Sequence, residues 1–278
     1  MENGGDFVLT GANQVNNLAA NLSGNLEFNN SQSLVISNLT YESDCGTSEV
    51  IAKMSIDGDL DLTIDGALNQ TVAICVAGDV TLIVSDDVCL LDPLNDFSGT
   101  FNASGTTVEV VDSNGLTAGV IASVNDVFLQ AGAGGSGTLN LSDNITTTDA
   151  AGQVLLQAAS GVTQTGGIIT TNVLMLGGDS ATESSGNFVL NSNNEVNALA
   201  TNLRNDLLFT NVGDVFVVKA DHESDCDSDM LPDEVFAGVI VGGNITLNIT
   251  GSLLQNTSGS SLPAVSYTHL TLPTKRIV

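Results

Sequence analysis

Gly58-Asp-Leu-Asp-Leu-Thr-Ile64 is followed by Gly66-Ala-Leu-Asn-Gln-Thr71 and then by Gly78-Asp-Val-Thr-Leu-Ile-Val84. The first and last of these open on Gly, continue with an acid and then carry aliphatic residues at every second position. A period of two over about five residues marks a half-buried β-strand. Gly and Asn at the boundaries supply the turns. The same signature recurs as Gly24-Asn-Leu-Glu-Phe28, Asp126-Val-Phe-Leu129 and Gly137-Thr-Leu-Asn-Leu141. Gly5 precedes Gly24, and Gly58 precedes Gly78, by nearly the same interval. That interval, about 20 residues, is one turn of a parallel β-solenoid, in which no turn buries its apolar face alone and stacking supplies the stability.

Longer repeats lie over this short period. Asn187-Phe-Val-Leu190 matches the earlier Asp6-Phe-Val-Leu9. The same offset pairs Val15-Asn16 with Val196-Asn197, Phe28 with Phe209, and Glu42-Ser-Asp-Cys45 with Glu223-Ser-Asp-Cys226. A second motif occurs three times, from Gly58, Gly152 and Gly243, followed by Gly66-to-Thr71, Gly161-to-Thr165 and Gly251-to-Thr257. The spacing defines three units of about 90 residues, over 5–75, 94–165 and 186–257. The middle unit is the most diverged, with Asn95-Asp-Phe97 and Val108-Glu-Val-Val111 as its altered opening. The expected fold is all-β, one continuous solenoid over residues 1–264. Two or three sandwich domains are the competing architecture. The lack of linkers, the total of 4 Pro and the absence of Trp weigh against it.

The chain has 278 residues, with 5 Lys+Arg against 32 Asp+Glu and a net charge of −27. That balance opposes binding to nucleic acid or to anionic lipid. Hydrophobic residues make up 42%, enough for a sizeable core and too many for an acidic disordered tail. No run of 18 apolar residues exists, so direct membrane insertion is not expected. Met1-Glu-Asn-Gly-Gly-Asp6 lacks the basic and apolar regions of a secretory signal, and the repeat already runs at Gly5. The expectation is an internal piece of a longer chain. Val265-Ser-Tyr-Thr-His-Leu-Thr-Leu-Pro-Thr274 departs abruptly from the Gly/Asn-rich pattern. It resembles translated sequencing adapter, so residues 265–278 are expected to be non-native; a genuine C-terminal strand is the alternative.

The Gly-polar-Val/Leu-x-Leu strands, the Gly161-Val-Thr-Gln-Thr-Gly166 stretch and the Asn16-Asn-Leu-Ala-Ala20 stretch resemble the filamentous-haemagglutinin type of repeat exoprotein over roughly residues 4–260. That resemblance implies a right-handed parallel β-helix and a secreted or outer-surface bacterial adhesin. The expected role is a non-catalytic binding rod, with a glycan or protein on a host or neighbouring cell as partner. An export partner encoded elsewhere is also implied. A carbohydrate-active β-helix enzyme, a polysaccharide lyase or hydrolase, is the alternative. A calcium-dependent extracellular matrix protein is a further one.

The densest polar stretch is Asp221-His-Glu-Ser-Asp225-Cys-Asp227-Ser-Asp229-Met-Leu-Pro-Asp233-Glu234. It looks like the calcium loops of thrombospondin type 3 repeats. By position, Asp225, Asp227, Asp229 and Asp233 would supply carboxylate oxygens and Leu231 its carbonyl, toward the six to eight oxygens that calcium takes. Met230 stands where Gly makes the turn, and Phe236 where a bidentate acid closes the site. A solvated acidic loop bulging from the solenoid is the other reading. No Cys-x-x-Cys pair exists among Cys45, Cys75, Cys89 and Cys226, which disfavours zinc. Cys45 and Cys226 occupy equivalent loops, and about nine turns at about 4.8 Å each put them some 40 Å apart, too far for a disulfide. Cys75, in Val72-Ala-Ile-Cys-Val76, reads as a buried apolar thiol. Cys89 has Cys45 or Cys75 within reach, and free thiols are the alternative. No nucleophile elbow or P-loop is present, and the lone His222 reads as structural or solvated. The acids at Asp57, Asp59 and Asp61 read as a solvated strand face.

Overall fold

In the computed structural model, which describes residues 5–42, 48–178, 186–226, 234–255 and 270–271, the chain is all-β, with no helix among those residues. Twenty-four strands join in one hydrogen-bonded sheet; a second sheet has four strands, and two antiparallel hairpins form two-stranded sheets of their own. The pairing is parallel everywhere except in the hairpins Leu39–Glu42/Ser48–Ile51 and Ala220–His222/Glu234–Phe236. Each turn of the chain comes back to lie beside itself. Leu26, Leu60, Val80 and Phe101 stand opposite one another in successive turns. So do Leu34, Leu68, Val88, Val108 and Val127 on a second column. Leu22, Ile56, Val76 and Phe97 form a third. All of these side chains are buried in one apolar cluster that extends from Ala20 to Leu247. Leu60, Leu62 and Ile64 point inward while Asp61 and Thr63 face solvent, as the alternation requires.

The glycines that open each signature stack on one another. A Cβ on Gly24 would lie 2.5 Å from the Gly5 carbonyl oxygen, and one on Gly78 would lie 2.5 Å from that of Gly58. Only a residue without Cβ lets successive turns approach this closely. The polar residue after the glycine has an equally definite task. The Asp6 carboxylate accepts the Asn25 N–H at 2.9 Å, the Asn25 side-chain oxygen accepts the Asp59 N–H at 2.8 Å, and Asp59 accepts the Asp79 N–H at 2.9 Å. Asp79 then accepts the Thr100 N–H at 2.7 Å. Each short acceptor caps the corner donor one turn on. The sequence separation along this ladder is 20 from Asp59 to Asp79 and 21 from Asp79 to Thr100. It rises to 34 from Asn25 to Asp59 and to 38 from Asp206 to Asn244, where the two hairpins are inserted.

Buried amides close other corners. Asn30 exchanges both hydrogen bonds with the Val15 backbone, and Asn211 does the same with Val196. These two pairs are related by the same offset as Phe28 and Phe209. Gln70 and Asn95 pair through both amide groups, and Gln164 and Asn194 repeat that arrangement. A buried backbone polar group without a partner costs about 1–3 kcal/mol, so these side chains define the corners. Asp112 is the charged member of the set. It is fully buried and accepts the N–H groups of Phe97 and Asn114 at 2.8 Å each. Burial pushes its carboxyl up to about 6, against the opposing effect of those two bonds.

Gly78→Ala is expected to destabilise the fold by about 1–3 kcal/mol, as overpacking does, whereas Gly11→Ala, with open space around it, leaves the thermal midpoint unchanged. Asp112 binds its proton more tightly in the folded chain than the ordinary 3.8 of an unfolded one. Its contribution to stability is therefore full below about pH 4 and lost as the pH rises through about 6. Chemical denaturation from pH 4 to 7 is expected to show a decline that is smaller in Asp112→Asn.

Candidate functional site

One outward-facing column does not face solvent. Cys89, Glu109, Phe128, Leu155, Met175 and Ala200 stand opposite one another in successive turns. Glu109, Leu155, Met175 and Ala200 are almost wholly buried. The cover is the hairpin Ala220–His222/Glu234–Phe236, which leaves the stack after Val215–Val217 and folds back along it as a strap. Ala220 and Phe236 pack on Leu155, Met175 and Ala200. The His222 ring lies 5.6 Å from that of Phe128. The Ser224 hydroxyl donates to Glu109, and the Asp225 N–H donates to the same carboxylate at 2.9 Å. Cys226 closes the series in a disulfide with Cys89, with Cα atoms 5.5 Å apart and a sequence separation of 137.

The strap matches the column in length. The extended chain from Ala220 to Cys226 reaches about 20 Å, and the four turn spacings from Met175 to Cys89 total about 19 Å. Alternate strap residues Ala220, His222, Ser224 and Cys226 therefore meet the column in order. The returning strand is tied as well: Gln157 donates to Glu234 at 3.0 Å and itself accepts from Gln130 at 3.0 Å.

This arrangement corrects the cysteine expectations. Cys89 bonds neither Cys45 nor Cys75, and it is not a free thiol. Stacking alone would hold Cys226 at its own turn, but the inserted hairpin carries it several turns back to Cys89. Cys45 lies outside the described residues. Cys75 is half-buried on the outer side of Ile74–Val76, not in the core, and its sulfur accepts from Lys53 Nζ at 3.4 Å. His222 is buried in the strap interface. Phe236, which stands where the calcium-loop pattern has a bidentate acid, is the apolar anchor of the strap.

Of the five calcium-loop candidates, Asp227, Asp229, Leu231 and Asp233 lie outside the described residues. Asp225 is exposed, and its carboxylate accepts the Thr107 hydroxyl at 2.8 Å. It faces two other acids. Asp87 is pushed above the ordinary carboxylate range by burial and by the charges of Asp86 and Asp225. Asp126 is pushed up by burial and by Asp225 and Asp149, against the N–H of Gln153 that it accepts. Among the described residues no group of three or more His, Cys, Asp or Glu side chains is placed to hold a metal.

Sequence reasoning missed the covered column, although a signal for it exists. In Val88-Cys-Leu90, Val108-Glu-Val-Val111, Val154-Leu-Leu156 and Leu174-Met-Leu176 alternation gives way to continuous burial. Strands that are apolar on both faces are covered on both. A groove of about 410 Å³ crosses four turns beside Thr10, Asn29, Thr63 and Ile83, with Asp65 and Ser85 on its border. Ile83 is 56% exposed there.

Phe236→Ala is expected to weaken strap packing by about 3 kcal/mol. Amide exchange should then accelerate in Ala220–His222 while Gln153–Ala158 beneath it stays protected.

Residues 37–104 are similar to the family described as Repeats of unknown function (DUF5649). That segment includes the first hairpin and the stacked glycines Gly58, Gly78 and Gly99. No curated protein and no solved structure matches the chain.

Proposed function

We propose that the chain is a segment of a right-handed parallel β-helix in a large secreted or surface-displayed bacterial exoprotein of the filamentous-haemagglutinin-like kind. Its role is structural and adhesive: a stiff acidic rod that binds a glycan or protein on a neighbouring or host cell without turning it over. The observation that carries this reading is the stacking itself. An apolar core buried along the whole length leaves outward side chains in register, as in Glu27, Asp61, Thr81 and Asn102, spaced by one turn. Such a surface offers hydrogen-bond donors and acceptors at a fixed repeat. In the groove beside Asn29 and Thr63, Ile83 adds an apolar contact of the kind that the face of a sugar ring takes. A disulfide between distant turns suits an oxidising compartment outside the cytoplasm, into which a partner encoded elsewhere would export the chain.

The test is binding of the purified chain to arrayed cell-surface glycans and to intact cells, with Ile83→Glu and Thr63→Arg as groove variants. Saturable binding that both variants weaken about tenfold or more, some 1.4 kcal/mol, is the expected result. Release of oligosaccharide from any bound polysaccharide would replace the rod with a carbohydrate-active enzyme. Absence of binding to every surface would overturn the adhesive role.

A further inference from the structure

The strap has two ends held by different forces. At its base, Ala220 and Phe236 sit in an apolar cluster with Leu155, Met175 and Ala200. At its tip, Ser224 and Asp225 meet the column through polar contacts to Glu109 and Thr107, and Cys226 is bonded to Cys89. The tip also brings the Asp225 carboxylate toward Asp87 and Asp126, whose carboxyls are raised first by burial and further by the Asp225 charge. Like charges brought together in a chain of net charge −27 favour separation. Apolar packing at the base needs no covalent bond to persist.

We infer that the strap is a redox-released flap: reduction of Cys89–Cys226 frees the tip, residues 223–226, while the Ala220/Phe236 anchor stays seated as its hinge. The chemistry is thiol–disulfide exchange with an external dithiol. One thiolate of the dithiol attacks one sulfur, forms a mixed disulfide and displaces the other cysteine as a thiolate. The second thiol of the reagent then resolves the mixed disulfide. The protein gains two electrons and two protons as two thiols, and the reagent leaves as its cyclic disulfide. Release uncovers Glu109, Thr107 and the Cys89 thiol, which the closed tip covers. The stacked turns beneath keep their own ladder, because the strap makes no parallel pairing with them. The inserted hairpin thereby gives a rigid stack one movable part, whose position depends on the redox state of its surroundings.

Hydrogen exchange of the intact chain, read by peptide mass spectrometry with and without dithiothreitol, tests this. The reductant is added after folding, so the unsubstituted chain is read in both states without having to fold lacking its disulfide. The expected result is faster exchange, by roughly tenfold or more, at Asp225 and Cys226. Ala220–His222, Glu234–Phe236 and the stack strands should change little. Alkylation of the reduced chain should label both Cys89 and Cys226. Cys226→Ser should show the reduced pattern without reductant and no further change with it. Unchanged exchange at the tip would mean that polar contacts alone hold it and would overturn the inference. Loss of protection at the base together with the tip, or in the stack strands, would overturn it as well, since the anchor would then not be a hinge.

Discussion

Every feature of this chain depends on one requirement: the backbone must return to its own edge, turn after turn, with the same kind of side chain at the same place. Parallel pairing of Leu60 with Val80 and of Val80 with Phe101 satisfies the backbone and stacks the core in the same step. The requirement leaves no room at the corners. Gly58 and Gly78 stand where a Cβ would strike the turn below, and Asp59 and Asp79 cap the N–H groups of the turn above. Gly-Asp-aliphatic is thus a description of a corner and the strand it launches, not merely a strand signal. The buried amides Asn30, Asn95, Asn194 and Asn211 perform the same service on the inside.

The rule tolerates excursions only where the chain can leave and rejoin at the same point. Both antiparallel hairpins do so at positions related by the long repeat: Leu39 pairs with Ile51 in the first, and Ala220 with Phe236 in the second. The second hairpin finds an apolar column to cover and becomes a layer of the structure. Its tip meets acids rather than aliphatics, and a disulfide closes it there. A stack with polar outward columns and a hairpin pinned across it by a disulfide is consistent in its parts. The stack supplies the continuous apolar core and the insertion supplies a layer that crosses several of its turns.

The strands, their inward residues and the turn length are legible in the sequence, because alternation and glycine spacing are local properties. The corner role of Asn was legible for the same reason. The disulfide was not. Reading Cys226 as fixed at its own turn ignored the reach of an inserted hairpin, and nothing local to Asp221-His-Glu-Ser-Asp225 says in which direction that hairpin folds. Leu155 and Met175 carried a hint as outward apolar residues, but a hint of cover does not name what covers. Cys75 was misplaced because Ala73-Ile-Cys-Val76 reads as uniformly apolar, whereas strand alternation turns its sulfur outward beside Lys53.

The amino-acid sequence alone determined the parallel repeating β architecture, its inward faces and its acidic surface, since each follows from residue periodicity and composition. Tertiary structure alone decided which outward column is buried, which cysteines are bonded and where the acidic strap lies. Those depend on contacts between residues far apart in the chain, such as Glu109 with Ser224 and Cys89 with Cys226. Such contacts are set by the length and direction of an excursion that leaves no period in the sequence.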